Sequence, residues 1–405
     1  MIGSKTREVV IGTVVIGGGH PVQLQSMVAT KTVDIVSTVE TCQRLTDSGA
    51  GIVRVAVDTQ HDAEALCEIR KRTTANLSVD LQENYRLAEV VAPYVDKIRY
   101  NPGHLHHAEP EISWQKKVER IVEVARRYDC ALRIGVNCGS LAPLDGGNKL
   151  FSDAVPGDLL ANYSNRHANS DSDIGGDIDS ESNIDSNVKK ALSSALSHAN
   201  FMESLDFRRF CVSIKSSDPL AVIWANRRFA LLRGDIPLHL GLTEAGMPPE
   251  GVMKSRVVLE TLLSEGIGDT VRVSLTVPND RKQEEIEVGQ LILSHVREGR
   301  ILTLSDWLPD CFNIISCPSC ARVENERFVA LAQQVREATR FMRDIPLTVA
   351  VMGCRVNGPG ETDHADLGLW CGAKSVNLKR GTRLLGTFSY DEIVPRLLRE
   401  LEQFR

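Results

Sequence analysis

No stretch of the 405-residue chain approaches the roughly 18 consecutive apolar residues that a membrane span needs. The opening residues, MIGSKTREVV, lack the apolar run of a secretory signal. Neither sign of charge dominates: 47 basic against 53 acidic residues leave a formal net charge of −6, which excludes a general attraction to nucleic acid or to an anionic membrane. The expectation is a cytoplasmic, globular chain with small or specific partners, no nucleic acid and no membrane. With 42% hydrophobic residues, the length suffices for two or three full cores. In that compartment ten cysteines argue for thiols that are buried, catalytic or metal-bound, and against disulfides. Cys42, Cys67, Cys130, Cys138 and Cys211 fall in helix-like or strand-like runs, where they are expected as small buried hydrophobes.

Also absent is a glycine-rich dinucleotide fingerprint after the first strand-like run, which weakens an open doubly wound sheet. What is present from Pro21 to about Arg297 is one unit repeated eight times: a short apolar strand, a turn and an amphipathic helix. The strands read as PVQLQSM (21–27), GIVRVAV (51–57), LSVDL (77–81), DKIRYN (96–101), ALRIGVN (131–137), FCVSIKSS (210–217), LHLGLTEA (238–245) and TVRVSLT (270–276). Between the fourth and fifth, Val118, Ile121, Val122 and Ala125 fall at i, i+3, i+4 and i+7, one face of a helix. Alternation without adjacent hairpins predicts a parallel sheet, and eight units predict closure into a (β/α)8 TIM barrel over residues 1–298.

One segment interrupts the rhythm. NYSNRHANSDSDIGGDIDSESNIDSN (162–187) holds six acidic residues, six serines, five asparagines and one arginine, and reads as a disordered insertion too polar to order itself. Its net −5 accounts for most of the chain's −6, so the remainder is close to neutral. Beyond Val296 the pattern becomes strand (313–316), CPSC, helix (324–343), strand (347–352), GCRVNGPGE, two or three short strands and a last helix (390–404). This predicts a smaller α+β domain over 299–405.

Barrel interiors are normally filled by branched apolar side chains. Here the strands carry Arg54, Arg99, Arg133, Lys215 and Arg272, and Asn101, Asn137 and Ser274 lie in the two-residue period of an arginine. Internal ion pairs would be the bland explanation, but only two acids, Asp80 and Glu244, lie among five cations. The excess predicts an anion, and arginine's planar donors suit phosphate, which barrels place at the strands' C-terminal ends. A doubly phosphorylated or diphosphate substrate fits. Glu244 then stands out as a carboxylate placed to donate or accept a proton.

Cys317 and Cys320 have a Cys-x-x-Cys spacing, which supplies half of a metal site. Cys354 opens CRVNGPGE, where Asn357-Gly358-Pro359-Gly360 is a turn signal expected to fold Glu361 back toward Cys354. A structural zinc site usually pairs two such knuckles, and the second is missing. An iron–sulfur cluster needs cysteine thiolates but accepts one different ligand. Cluster, zinc and a bare redox dithiol all stay open on chemistry alone. With them stand three functions: an iron–sulfur enzyme, a zinc-dependent phosphosugar lyase, and a non-catalytic redox sensor with a phosphorylated effector.

VQLQSM, GAGIVRVAV, DKIRYNPG, LRIGVNCGSL, VSIKSSD, LGLTEAG, GIGDTVRVSLT, CPSCAR and above all GCRVNGPGE occur in this order along the chain. Across nearly its whole length the sequence resembles the 4-hydroxy-3-methylbut-2-en-1-yl diphosphate synthase family of the non-mevalonate isoprenoid pathway. The resemblance implies a 4Fe-4S cluster held by Cys317, Cys320, Cys354 and Glu361. It implies that 2-C-methyl-D-erythritol 2,4-cyclodiphosphate is bound by Arg54, Arg99, Arg133, Lys215 and Arg272 with Asn101, Asn137 and Ser274, and that Glu244 faces the reacting carbons. It further implies a flavodoxin or ferredoxin as electron donor, and a homodimer in which one subunit's cluster domain closes over its partner's barrel. Two departures are visible: Asp80-Leu81-Gln82-Glu83 stands where the family commonly has Asp-Ile-His-Phe, and the acidic insertion is unusual.

The cofactor expectation is tested by anaerobic purification. The wild type should show the broad visible absorbance of iron-bound thiolate, and Cys317→Ser should lose it. Stoichiometric zinc without iron in the wild type would sink the expectation.

Overall fold

The computed structural model describes residues 6–81, 83–141, 185–302, 312–342, 345–354 and 356–404. Gln82, Cys311 and the acidic segment as far as residue 184 lie outside them. The last residues of that segment belong to a helix. Asp185 caps Ser186–Ser204, its carboxylate accepting from Asn187 N at 2.6 Å. Val188, Ala191, Leu192, Ala195, Leu196 and Ala199 then form one buried face, so apolar periodicity prevails over the polar composition that runs up to Asn187.

Eight parallel strands follow the predicted runs: β3 (Gln23–Met27), β4 (Ile52–Val57), β5 (Leu77–Leu81), β6 (Lys97–Tyr100), β7 (Ala131–Asn137), β8 (Phe210–Lys215), β9 (His239–Leu240) and β10 (Thr270–Val271). They pair in the order β8-β7-β6-β5-β4-β3-β10-β9, and a parallel bridge between Val212 and Leu238 joins the two ends. The helices between them pack on the outside, and the resulting core runs through Val53, Val79, Ile98, Ile134 and Val212. All nine described cysteines are free thiols; Cys42, Cys130 and Cys211 are buried, whereas Cys67 and Cys138 are half-buried. No described helix is long and apolar enough to cross a membrane.

The strand reading began at Pro21 and passed over a hairpin. β1 (Val9–Ile11) and β2 (Val14–Ile16) pair antiparallel around Gly12-Thr13, with Gly12 at φ 57. Val9, Ile11 and Ile16 pack against Ile52, Ala131 and Cys211 at the starts of β4, β7 and β8. The hairpin thus plugs the barrel's N-terminal end.

The second domain has one five-stranded sheet, ordered β11 (Asn313–Ser316), β12 (Thr348–Met352), β13 (Leu367–Cys371), β14 (Val376–Arg380), β15 (Arg383–Phe388). Helices Arg327–Ala338 and Ile393–Leu401 cover it around Phe328, Val335, Val349 and Leu397. A parallel bridge from Ser316 to Ala245 ties the end of β11 to the C-terminal rim of the barrel.

Ile16 is fully buried in the plug. Ile16→Ala should lower unfolding stability by about 2–4 kcal/mol in urea titration, the range for such truncations, and leave anion binding at the far rim unchanged.

Candidate active site

The C-terminal ends of the strands meet in a cavity of about 80 Å³, closed above by the second domain. Arg54, Arg99, Arg133, Lys215 and Arg272 all line it, each between 2% and 8% exposed. Two glycines give these long side chains their paths. A Cβ on Gly135 would stand 2.1 Å from Arg99 Nε, and one on Gly241 would stand 2.5 Å from Lys215 Nζ. Sheet register places Asp80 beside Arg99, and Arg99 beside Arg133.

Asp80 holds this group together. It accepts from Arg99 Nη1 at 2.7 Å and from Arg322 Nη1 at 3.1 Å, with Arg54 Nη1 3.9 Å away. Burial works to raise its pKa, but Arg99, Arg54 and Arg322 outweigh it and hold the carboxyl well below the usual range. The remaining cations have less support. Arg133 Nε and Nη1, and Arg272 Nε and Nη2, are buried and meet no partner among the described residues. Burial, reinforced by Arg99, pushes Arg133 down to about 9. Burial and the surrounding arginines push Lys215 well below the usual lysine range. An anion in the cavity would both pair the donors and relieve the repulsion.

Asn137 and Ser274 also line the cavity, and Ser274 Oγ is buried there without a partner among the described residues. Asn101 is placed differently. Its Nδ2 donates to Ser140 Oγ at 2.9 Å and its Oδ1 accepts from Gly103 N at 3.1 Å, which fixes the loop after β6.

Glu244 faces the cations at 2% exposure, on a backbone with φ 50. A non-glycine residue there is strained, and such strain clusters at functional sites. Asn357 Nδ2 donates to Glu244 Oε1 at 3.1 Å, while Oε2 has no partner among the described residues. Burial raises its pKa, opposed by the Asn357 bond and the Arg272 charge.

Cys317, Cys320 and Cys354 line the same cavity from above. Gly353 N donates to Cys317 Sγ at 3.2 Å, and Val356 N to Cys354 Sγ at 3.4 Å. A bond from Cys354, aided by the Arg322 charge, brings Cys320 down to about 5. Glu361 is not itself a lining residue but lies beside Asn137, which is: a Cβ on Gly139 would stand 2.6 Å from Glu361 Oε1 and 3.6 Å from Asn137 Oδ1. The expected turn is a short helix, Gly358–His364, because Pro359 suits a first helical turn and Gly358 N bonds Cys354 O at 2.9 Å. Glu361 accepts from Ser217 Oγ at 2.9 Å on the barrel rim, and burial, with the Glu244 charge, pushes it up to about 8. Among the described residues no three His, Cys, Asp or Glu side chains converge as a single-ion site.

The second domain closes over the barrel of its own chain. Arg322 Nε reaches Asp58 Oδ1 at 2.9 Å, and Arg322 Nη2 reaches Asp80 O at 3.1 Å. Lys31 donates to Ala321 O and Val323 O, and Lys254 to Ile314 O. The sequence does not single out Arg322, Asp58, Ser217 or these lysines, and marks Asn357 only as part of a turn. Arg322, Ser217 and Asn357 do lie inside the motifs CPSCAR, VSIKSSD and GCRVNGPGE.

A family model described as "GcpE TIM-barrel domain" matches residues 6–290, and one described as "GcpE protein C-terminal domain" matches 313–403. The chain belongs to the GcpE family. A curated GcpE relative from Rhodopirellula baltica, named 4-hydroxy-3-methylbut-2-en-1-yl diphosphate synthase (flavodoxin), is 52% identical, the match covering 98% of this chain and 95% of the relative. Proteins of the same name from Tropheryma whipplei (37% identical; 98% and 90% covered) and Caldicellulosiruptor saccharolyticus (35%; 98% and 98%) are similar over the same span. Among solved structures, a truncated 3-deoxy-D-arabino-heptulosonate 7-phosphate synthase from Thermotoga maritima is similar at 11% identity and a TM-score of 0.42, covering 73% of this GcpE chain and 92% of its own.

The unpaired donors of Arg133 set a test. Pyrophosphate should raise the thermal midpoint of the wild type by selective binding to the folded state. Arg133→Ala should weaken that binding by about 1.5–3 kcal/mol in calorimetry, the scale of a charged hydrogen bond, without loss of ligand-free stability. Unchanged affinity would return Arg133 to a structural role.

Proposed function

We infer that this chain catalyses the reductive ring opening and dehydration of 2-C-methyl-D-erythritol 2,4-cyclodiphosphate to 4-hydroxy-3-methylbut-2-enyl diphosphate. GcpE membership and the relatives' shared name support it. The observation that carries the reading is one cavity in which five barrel cations and Glu244 face three cysteines. In neutral forms, two electrons and two protons are taken up. The ring C–O bond breaks with its oxygen kept on the diphosphate, and a second C–O bond breaks with its oxygen leaving as water.

The three thiols fit a 4Fe-4S cluster. Backbone N–H groups reach Cys317 and Cys354, as sulfurs bearing charge require, and all three thiols line the one cavity. Cys317, Cys320 and Cys354 would hold the cluster, with Glu361 as the fourth ligand. When bound, it supplies the electrons singly; flavodoxin, named in the relatives' descriptions, is the proposed donor. Arg54, Arg99, Arg133, Lys215 and Arg272 bind the diphosphate and offset the charge set free as the ring opens. Asn137 and Ser274 orient it. Glu244, its pKa raised by burial and its carboxyl group aimed by Asn357, delivers a proton to the departing oxygen.

At about 80 Å³ the cavity holds only a few waters. Second-domain residues from Cys317 to Asn357 cover it, and substrate enters when that domain lifts from the rim. A homodimer is the assembly proposed for the cytoplasmic enzyme.

Glu244→Gln preserves size and the Asn357 contact but cannot donate the proton. Cluster content should be unchanged, and turnover should fall by about 10²-fold or more, as for loss of a general acid. Single-turnover conversion by chemically reduced protein reads this without the electron donor. A wild-type rate there would make Glu244 a structural partner of Arg272.

A further inference from the structure

One buried ion pair at the domain junction has no part in the chemistry above. Lys282 and Glu285 are 0% and 2% exposed, and Lys282 Nζ lies 2.9 Å from Glu285 Oε1. Glu285 is anchored toward the barrel, its Oε2 accepting from Ser26 Oγ at 2.9 Å and its Oε1 from Leu275 N at 3.0 Å. Lys282 faces the other way. It donates to Leu275 O at 3.2 Å and to the Pro318 carbonyl, between Cys317 and Cys320. Thr276 extends the same junction, its hydroxyl donating to Cys317 O at 2.9 Å. The segment from Arg272 to Thr276 thus carries two anion-binding side chains and also grips the thiol loop.

A buried ion pair adds little stability over an apolar replacement of similar volume, so stability alone does not account for this one. Its direction does. The positive end meets the loop that carries two thiols, and the negative end is turned away into the barrel. In a dry junction such a dipole acts over several ångströms, and nearby charge is one of the levers that set an iron–sulfur potential.

We propose that the Lys282–Glu285 pair is a positioning and redox-tuning device for the metal group held by the Cys317–Cys320 loop. This rests on the cluster assignment made above. Lys282 stabilises the reduced, more negative state and keeps the loop in register with Arg272 and Ser274. Neither Lys282 nor Glu285 lines the cavity, so both act through the loop.

The test uses full-length, anaerobically reconstituted protein as wild type, Lys282→Gln, Lys282→Arg and Glu285→Gln. Iron content, midpoint potential by spectroscopically monitored titration, KM and kcat are measured for each. Iron content should match wild type in all. The midpoint should move negative in Lys282→Gln, positive in Glu285→Gln and little in Lys282→Arg, with the cyclodiphosphate KM within about threefold of wild type. Opposite signs are the signature of charge. A purely structural tie would loosen the loop in both neutral variants and move both potentials the same way. Iron-loaded variants with unchanged or parallel shifts overturn the inference alone. An iron-free wild type overturns the cluster assignment beneath it, a distinguishable result. Should Lys282→Gln not fold, the sign of the Glu285→Gln shift decides.

Discussion

Asp80 is a carboxylate on which both halves of this molecule lean. From the end of β5 it accepts from Arg99 of the barrel and Arg322 of the second domain, with Arg54 close by. A surface pair of this kind contributes about 0–1 kcal/mol, whereas removing one partner of a buried pair costs about 3–5 kcal/mol. The Asp80 cluster is of the second kind. It aims three guanidinium groups at one point, but six cations and two carboxylates line the cavity, and Asp80 cannot balance them. The imbalance is the binding site. Donors left unpaired on Arg133 and Arg272 hold unfavourable energy that an entering anion releases.

The barrel was legible because its signal is local and repeated. Every strand alternates or runs apolar over a few residues, and each is followed by a helical face, so eight units could be counted without knowing their partners. What escaped was shorter. The hairpin Val9–Ile16 has two β-branched runs around Gly12-Thr13, a recognised turn pattern, but it precedes the first repeat and stands outside the eight-unit period. Asn357-Gly358-Pro359-Gly360 was read as a turn from composition. Proline is equally at home in the first turn of a helix, and only the Gly358–Cys354 hydrogen bond decides between the two. Composition also carried the polar insertion too far, since Asp185 is both acidic and a helix cap.

The site was legible to the extent that it violates the rules of the fold. Arginines inside strands have no place in an apolar core, so Arg54, Arg99, Arg133 and Arg272 announced themselves, and all four reach one cavity. Asn101 satisfied the same period, yet it lies past the end of β6, where an asparagine side chain readily caps its own loop. The links that assemble the site were beyond sequence reasoning. Arg322 with Asp80, Asn357 with Glu244 and Ser217 with Glu361 are separated by 242, 113 and 144 residues, and each pairs two ordinary polar residues.

The way the second domain is attached bears on how the enzyme can turn over. Lys31, Lys254 and Lys282 all donate to backbone carbonyls beside the thiol loop, and Arg322 plugs into Asp58 and Asp80. Ammonium groups and carbonyls are readily rehydrated when such a junction parts, whereas a broad apolar interface would pay a large hydrophobic penalty on opening. Charged contacts of this kind are also directional, so each re-closure returns the loop to the same register. A cavity covered by a second domain needs both properties: a cover that lifts cheaply, and one that lands where the three thiols again face the anion site. The charge imbalance supplies the bias between the two states. Without an anion, Arg322 closes onto a cavity already crowded with cations, and with a diphosphate bound the same closure brings a sixth cation to a negative ligand.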